Sequence, residues 1–97
     1  LFTFNGPISI KQKQYELDND PIDLRCNCMV CRRYSKAYLR HLFKSKEILY
    51  SILATYHNLA FLSNLIFKIR DAIEKDKFVH FYNTFLKIYG SNQEEKE

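Results

Sequence analysis

Apolar positions recur most regularly between Glu47 and about Lys75. Ile48, Ile52, Thr55, Leu59, Leu62, Ile66, Ile69 and Ile73 follow one another in alternating steps of four and three, and only Thr55 breaks the series. That spacing is the heptad-like seam of an α-helix. Leu49, Leu53, Ala60, Leu65 and Ala72 widen the apolar face, and neither Gly nor Pro interrupts it. The pattern predicts one helix of about 28 residues, roughly 42 Å long. A seam this wide is expected to form intramolecular core. A shorter helix is predicted over Arg32 to Lys44, anchored by Leu39, Leu42 and Phe43. A third is predicted from Phe78, Phe81, Phe85 and Ile88, with Asp76 as its N-cap and Gly90 as its stop.

The start of the chain has a different period. Leu1-Phe2-Thr3-Phe4 is a β-type run, Asn5-Gly6-Pro7 is a turn signal, and Ile8-Ser9-Ile10-Lys11 alternates apolar with polar. This predicts a β-hairpin followed by a polar loop from Glu16 to Pro21. A lone hairpin is barely stable, so these strands are expected to pair with segments outside this chain. The chain opens on Leu1 inside that apolar run, which predicts a piece of a longer protein. Ser91 to Glu97 is polar and charged and is expected to be a disordered tail. The fold class is thus α+β and mainly α: a hairpin region over 1–25, a helical subdomain over 26–90 and a tail over 91–97.

Between hairpin and helices lies Cys26-Asn27-Cys28-Met29-Val30-Cys31, which holds all three cysteines of the chain. C-x-C-x₂-C gathers three sulfurs round one point without a long loop. Thiolates are soft ligands that suit Zn²⁺, and a structural zinc site closes with four N or S donors. Three cysteines therefore call for one histidine from His41, His57 and His80. His41 lies ten residues beyond Cys31, roughly 14 Å along a helix. If the chain reverses near Lys44-Ser45-Lys46, the returning helix brings residues near 57 to 60 level with Cys31. That selects Cys26, Cys28, Cys31 and His57 as a structural Cys₃His zinc site, one ion per chain. The alternatives fit less well. A polar hexapeptide flanked by Arg25, Arg32 and Arg33 is a poor place for three metal-free core cysteines, and a disulfide at such tight spacing is strained and leaves one thiol over.

Ninety-seven residues make one small domain, of a size that a structural metal commonly supplements. Apolar content of 46%, with seven tyrosines and eight phenylalanines, excludes a disordered chain. Formal charge is +4, and three thiolates with one Zn²⁺ lower it by about one. This mild basicity is compatible with nucleic acid without being diagnostic. No run is long enough to span a membrane, and reduced cysteines in metal-ligand spacing favour the cytoplasm. With only Gly6 and Gly90 there is no phosphate loop. Asp18, Asp20 and Asp23 read as solvated or capping loop residues. No catalytic residue is assigned to this chain. Tyr34, Tyr38 and His41 lie at i, i+4 and i+7 of the first predicted helix, either as half-buried packing or as a contact surface for another subunit.

Several words of the sequence, in order, resemble one family. They are Gly6-Pro7-Ile8-Ser9-Ile10-Lys11, Asp20-Pro21-Ile22-Asp23, the cysteine knuckle, Tyr34 to Leu42, Glu47-Ile48-Leu49, His57-Asn58-Leu59-Ala60-Phe61 and Lys68 to Ile73. From Leu1 to about Tyr89 the chain resembles the C-terminal region of tRNA-guanine transglycosylase, also called queuine tRNA-ribosyltransferase, in its bacterial forms. The knuckle followed by H-N-L-A-F at this distance is the specific part.

The resemblance implies a TIM-barrel enzyme with a zinc subdomain near its C-terminus. Such an enzyme exchanges a guanine of the tRNA anticodon loop for a 7-deazaguanine base in queuosine modification. Its structural zinc ligands carry over to Cys26, Cys28, Cys31 and His57. Its catalytic aspartates belong to the barrel upstream and have no counterpart here. Leu1 to Gln14 would be the end of the barrel region. Family members form homodimers around the zinc subdomain, which favours the contact reading of Tyr34, Tyr38 and His41. Two other readings compete: a non-catalytic accessory subunit of the same family, and a free-standing zinc module that binds nucleic acid. Against the latter, the basic residues are scattered and the aromatics sit at core spacing.

Overall fold

The computed structural model describes residues 1–95, with side chains through Gly90. Four helices follow an irregular N-terminal third: α1 (Met29–Arg33), α2 (Lys36–Lys44), α3 (Ile48–Glu74) and α4 (Phe78–Glu95). The 27 residues of α3 span roughly 40 Å. They account for most of the molecule's longest extent of 46 Å.

The expected single helix from Arg32 to Lys44 is two. Tyr34 and Ser35 are extended, and the Ser35 hydroxyl caps α2 by accepting the Tyr38 N–H at 3.1 Å. The next free amides of α2, Lys36 and Ala37, donate to the carbonyls of Asp20 and Asp18 at 2.8 and 2.9 Å. The loop before the knuckle thus satisfies the N-terminus of α2. Lys36 adds an ion pair to Asp18 at 3.0 Å.

Reversal occurs at Ser45–Glu47. Lys46 takes a left-handed φ of 57°. Its N–H bonds the Phe43 carbonyl while the Glu47 N–H bonds that of Leu42, which is a Schellman closure. The same arrangement ends α3. Asp76 sits at φ 55°, with the Lys77 N–H on the Ala72 carbonyl at 2.7 Å. Asp76 therefore closes α3 and does not cap α4, contrary to the sequence expectation. Gly90 does not stop α4, whose backbone is helical to Glu95. The tail expected over 91–97 lies partly outside the described residues, at 96 and 97.

Among the described residues no β-strand forms, so the hairpin is corrected. Leu1 and Ile8 exchange both backbone bonds, and Gly6 turns the chain at φ 114°. Between them, Phe2 and Thr3 run into a turn at Phe4–Asn5, and the polar groups of Phe2-Thr3-Phe4 go elsewhere. The Phe2 N–H donates to Asn58 Oδ1 (3.0 Å) and the Phe4 N–H to Asp23 Oδ2 (2.9 Å). The Phe2 carbonyl meets His57 Nε2 at 2.7 Å, and the Thr3 carbonyl accepts the Tyr89 hydroxyl. Side chains of α3, α4 and the knuckle loop take the places of a ladder partner, leaving a strap laid across the helices.

The core gathers at the N-terminal half of α3: Ile10, Ile22, Cys26, Val30, Cys31, Leu39, Leu42 and Leu53. A second, aromatic cluster lies further along, where Phe61 meets Phe2, Phe4 and Tyr89 at centroid distances of 5.5, 4.6 and 6.2 Å. The inward face of α3 is thus Leu53, His57, Phe61 and Ala72. The regular seam read from the sequence points the other way. Ile48, Leu59 and Ile73 are 77%, 62% and 60% exposed, and Ile52, Leu62 and Ile66 are exposed too. The expectation that this seam forms intramolecular core is overturned. Which face of α3 turns inward is decided by His57 and the aromatic cluster, not by the more regular stripe.

Candidate metal centre

The knuckle loop is built on Asp23. Its buried carboxylate accepts the N–H groups of Phe4 and Arg25, both at 2.9 Å, and its carbonyl accepts the Cys26 N–H at 3.1 Å. The chain then winds round the sulfurs. The Cys28 N–H points to Cys26 Sγ and the Cys31 N–H to Cys28 Sγ, each at 3.4 Å. Cys28 is also the N-cap of α1, so backbone amides of the knuckle orient the Cys26 and Cys28 sulfurs. Amide donors aimed at sulfur favour thiolate at this spot.

His57 enters from α3 and is fully buried. Its Nδ1 lies 3.4 Å from Cys31 Sγ, 3.5 Å from Cys28 Sγ and 3.9 Å from Cys26 Sγ. The four donor atoms all fall within 4.8 Å of one another. Its other nitrogen faces the Phe2 carbonyl, which can only accept, so Nε2 carries the proton and Nδ1 turns its lone pair to the sulfurs. Burial also holds the His57 pKa below its ordinary value, which keeps the ring neutral, as a ligand must be. Burial pushes the Cys26 and Cys31 thiols up. A cation entering here displaces their protons. The group can hold a metal ion, and four protein donors leave no open position for substrate.

The structure therefore brings Cys26, Cys28, Cys31 and His57 together. His41 is exposed on α2 and His80 on α4, and neither joins the cluster. Tyr34 and Tyr38 stack at 5.4 Å although the helix breaks between them, and Tyr38 is exposed. Of the three loop aspartates, Asp18 caps the Asp20 N–H and pairs with Lys36, as a capping residue should. Asp23 instead is buried beside the knuckle, which the sequence reading missed. Its place directly before the cysteines was the available signal. Asn58 and Phe61 belong to the H-N-L-A-F word, which by itself assigns them no task. The structure gives Asn58 the Phe2 N–H and Phe61 the aromatic cluster. Among the described residues no helix is long and apolar enough to cross a membrane.

Comparison with known proteins shows the family. A family model described as queuine tRNA-ribosyltransferase matches residues 1–91. A queuine tRNA-ribosyltransferase of Treponema denticola is 62% identical over 89 residues, covering 92% of this chain and 24% of the relative. One from Caldanaerobacter subterraneus subsp. tengcongensis is 50% identical over 95 residues, 98% of this chain and 25% of the relative. One from Helicobacter pylori is 50% identical over 91 residues, 94% of this chain and 24% of the relative. The chain spans about a quarter of the length of these relatives. With a match over nearly its whole length, and with the four donors gathered as described, the chain belongs to the queuine tRNA-ribosyltransferase family.

Proposed function

We propose that this chain is the zinc-binding C-terminal region of a cytoplasmic tRNA-guanine transglycosylase. In this reading one structural Zn²⁺ ties the knuckle to α3 and fixes the surface that the rest of the enzyme packs against. The observation that carries the reading is the donor set. A tetrahedral zinc site with Zn–S near 2.3 Å and Zn–N near 2.0–2.1 Å has S···N edges of about 3.6 Å. The edges at His57 Nδ1 run from 3.4 to 3.9 Å. Zinc supplies a cross-link here and no reaction step.

The parent enzyme exchanges an anticodon guanine of tRNA for a 7-deazaguanine base. The carboxylates for that exchange lie outside this chain. The exposed seam from Ile48 to Ile73 is the face that packs on the parent's barrel, since so large an apolar surface is not expected to stay solvated. The stacked Tyr34 and Tyr38, with His41 one helical turn further on, form a contact with a second copy of the enzyme.

Elemental analysis and a radiolabelled-guanine exchange assay on tRNA test the reading together. The purified chain should carry about one zinc and exchange no base. A chain without zinc, or turnover by the isolated chain, would overturn it.

A further inference from the structure

Two consecutive residues of α3 grip a single residue of the strap. His57 Nε2–H donates to the Phe2 carbonyl at 2.7 Å, and Asn58 Oδ1 accepts the Phe2 N–H at 3.0 Å. The carbonyl is the hydrogen-bond partner that sets the ring plane and tautomer of His57, and hence the direction of Nδ1. Partners of this kind are part of a metal site's design, because the ligand points only where its far nitrogen is held. We propose that Asn58 is a positioning residue of the metal centre: by holding the Phe2 N–H it fixes the carbonyl that aims His57. This rests on the zinc reading above.

The other anchors of the strap act elsewhere. Tyr89 holds the Thr3 carbonyl and Asp23 holds the Phe4 N–H, so both secure the strap beyond Phe2. On the near side the Leu1 carbonyl is taken by the Ile8 N–H at 2.9 Å. Among the described residues, Asn58 alone meets the donor that precedes the critical carbonyl within the same residue. Asn suits this place because its carbonyl oxygen reaches the strap from the flank of α3. Losing it loosens the hold on Phe2 from the α3 side, so its carbonyl is presented to Nε2 less firmly.

The test measures zinc affinity of the full chain by competition with a chromophoric chelator, with circular dichroism as the fold control. Asn58→Ala removes the acceptor and leaves a good helix former. Loss of a direct partner of a metal-bound histidine typically costs about 10–100-fold in affinity. Asn58 is one bond further out, so about tenfold weaker binding is expected from the low end of that range. Asn58→Asp keeps an acceptor oxygen and should bind within about twofold of the wild type. The His57 Nε2–H proton should exchange with water faster in Asn58→Ala than in Asn58→Asp, at equal helix content. Equal affinities in wild type and Asn58→Ala would overturn this inference alone. A wild-type chain that takes up no zinc would overturn the zinc reading and this inference with it. Should Asn58→Ala fail to fold, the wild type still decides, because coupling between strap and metal is reciprocal. Zinc must slow amide exchange at Phe2 more than at Phe81 in α4, and equal slowing at the two would refute the coupling.

Discussion

Replacing His57 by alanine is the most direct perturbation of the metal centre. The side chain is fully buried and does two things at once: Nδ1 faces three sulfurs, and Nε2–H holds the Phe2 carbonyl. Four-ligand zinc sites in small peptides bind with roughly 10–16 kcal/mol, so an even share per ligand is about 2.5–4 kcal/mol. The hydrogen bond to Phe2 adds about 0.5–1.5 kcal/mol. Together these predict affinity weaker by about 10²–10⁴, at roughly 1.4 kcal/mol per decade. Water entering the vacated coordination position returns part of this, so the lower half of the range is expected. His41 is exposed and outside the cluster, so His41→Ala should bind within about twofold of the wild type. Chelator competition on the purified chains gives both affinities, and elemental analysis gives the stoichiometry. His57→Gln, which can still donate a hydrogen bond but is a poor zinc ligand, separates the two contributions. Equal zinc affinity in His57→Ala and the wild type, or an equal loss in His41→Ala, would refute the ligand set.

Three further outcomes are expected. Asp23→Ala strands the Phe4 and Arg25 amides and should cost at least about 2 kcal/mol in urea unfolding of the metal-loaded chain, with Asp23→Asn costing less. Burial pushes the Tyr89 phenol from 10.0 up to about 12. A raised folded pKa gives stability that is complete below about pH 10 and is lost as pH rises through about 12. The wild type should therefore lose more stability than Tyr89→Phe between pH 9 and 11 (roughly the onset of that window), and parallel curves would count against the buried phenol. Finally, with the Ile48–Ile73 seam exposed, the zinc-loaded chain should sediment as a dimer or larger species at micromolar concentration. A clean monomer at ~100 μM, far above a typical micromolar dissociation constant, would show that the seam and the Tyr34–Tyr38 stack do not associate unaided.

The sequence by itself determined the parts that depend on local chemistry. Three cysteines in six residues specify a metal-type donor set wherever they are placed. A stretch without Gly or Pro and with apolar residues every three or four positions specifies a helix, and Ile48–Glu74 is one. Even His57 was legible, because a helix of known rise that turns back at Ser45–Glu47 must pass Cys31 near that residue. The break at Tyr34–Ser35 was also present as a serine capping signal, but the helical spacing of Tyr34, Tyr38 and His41 ran across it and concealed it.

What only the tertiary structure decided is which groups those elements face. The Leu1–Phe4 run has β-type composition, yet composition does not say who accepts its N–H groups. Asn58, Asp23, His57 and Tyr89 stand where a neighbouring strand would be, so a strap forms without a ladder. Likewise, periodicity finds the apolar faces of α3 but cannot rank them. Leu53, His57 and Phe61 turn inward because the knuckle and the aromatic cluster lie on that side, and the more regular isoleucine seam is left outside. Both outcomes depend on contacts between residues some 20 to 90 positions apart, which no local pattern encodes.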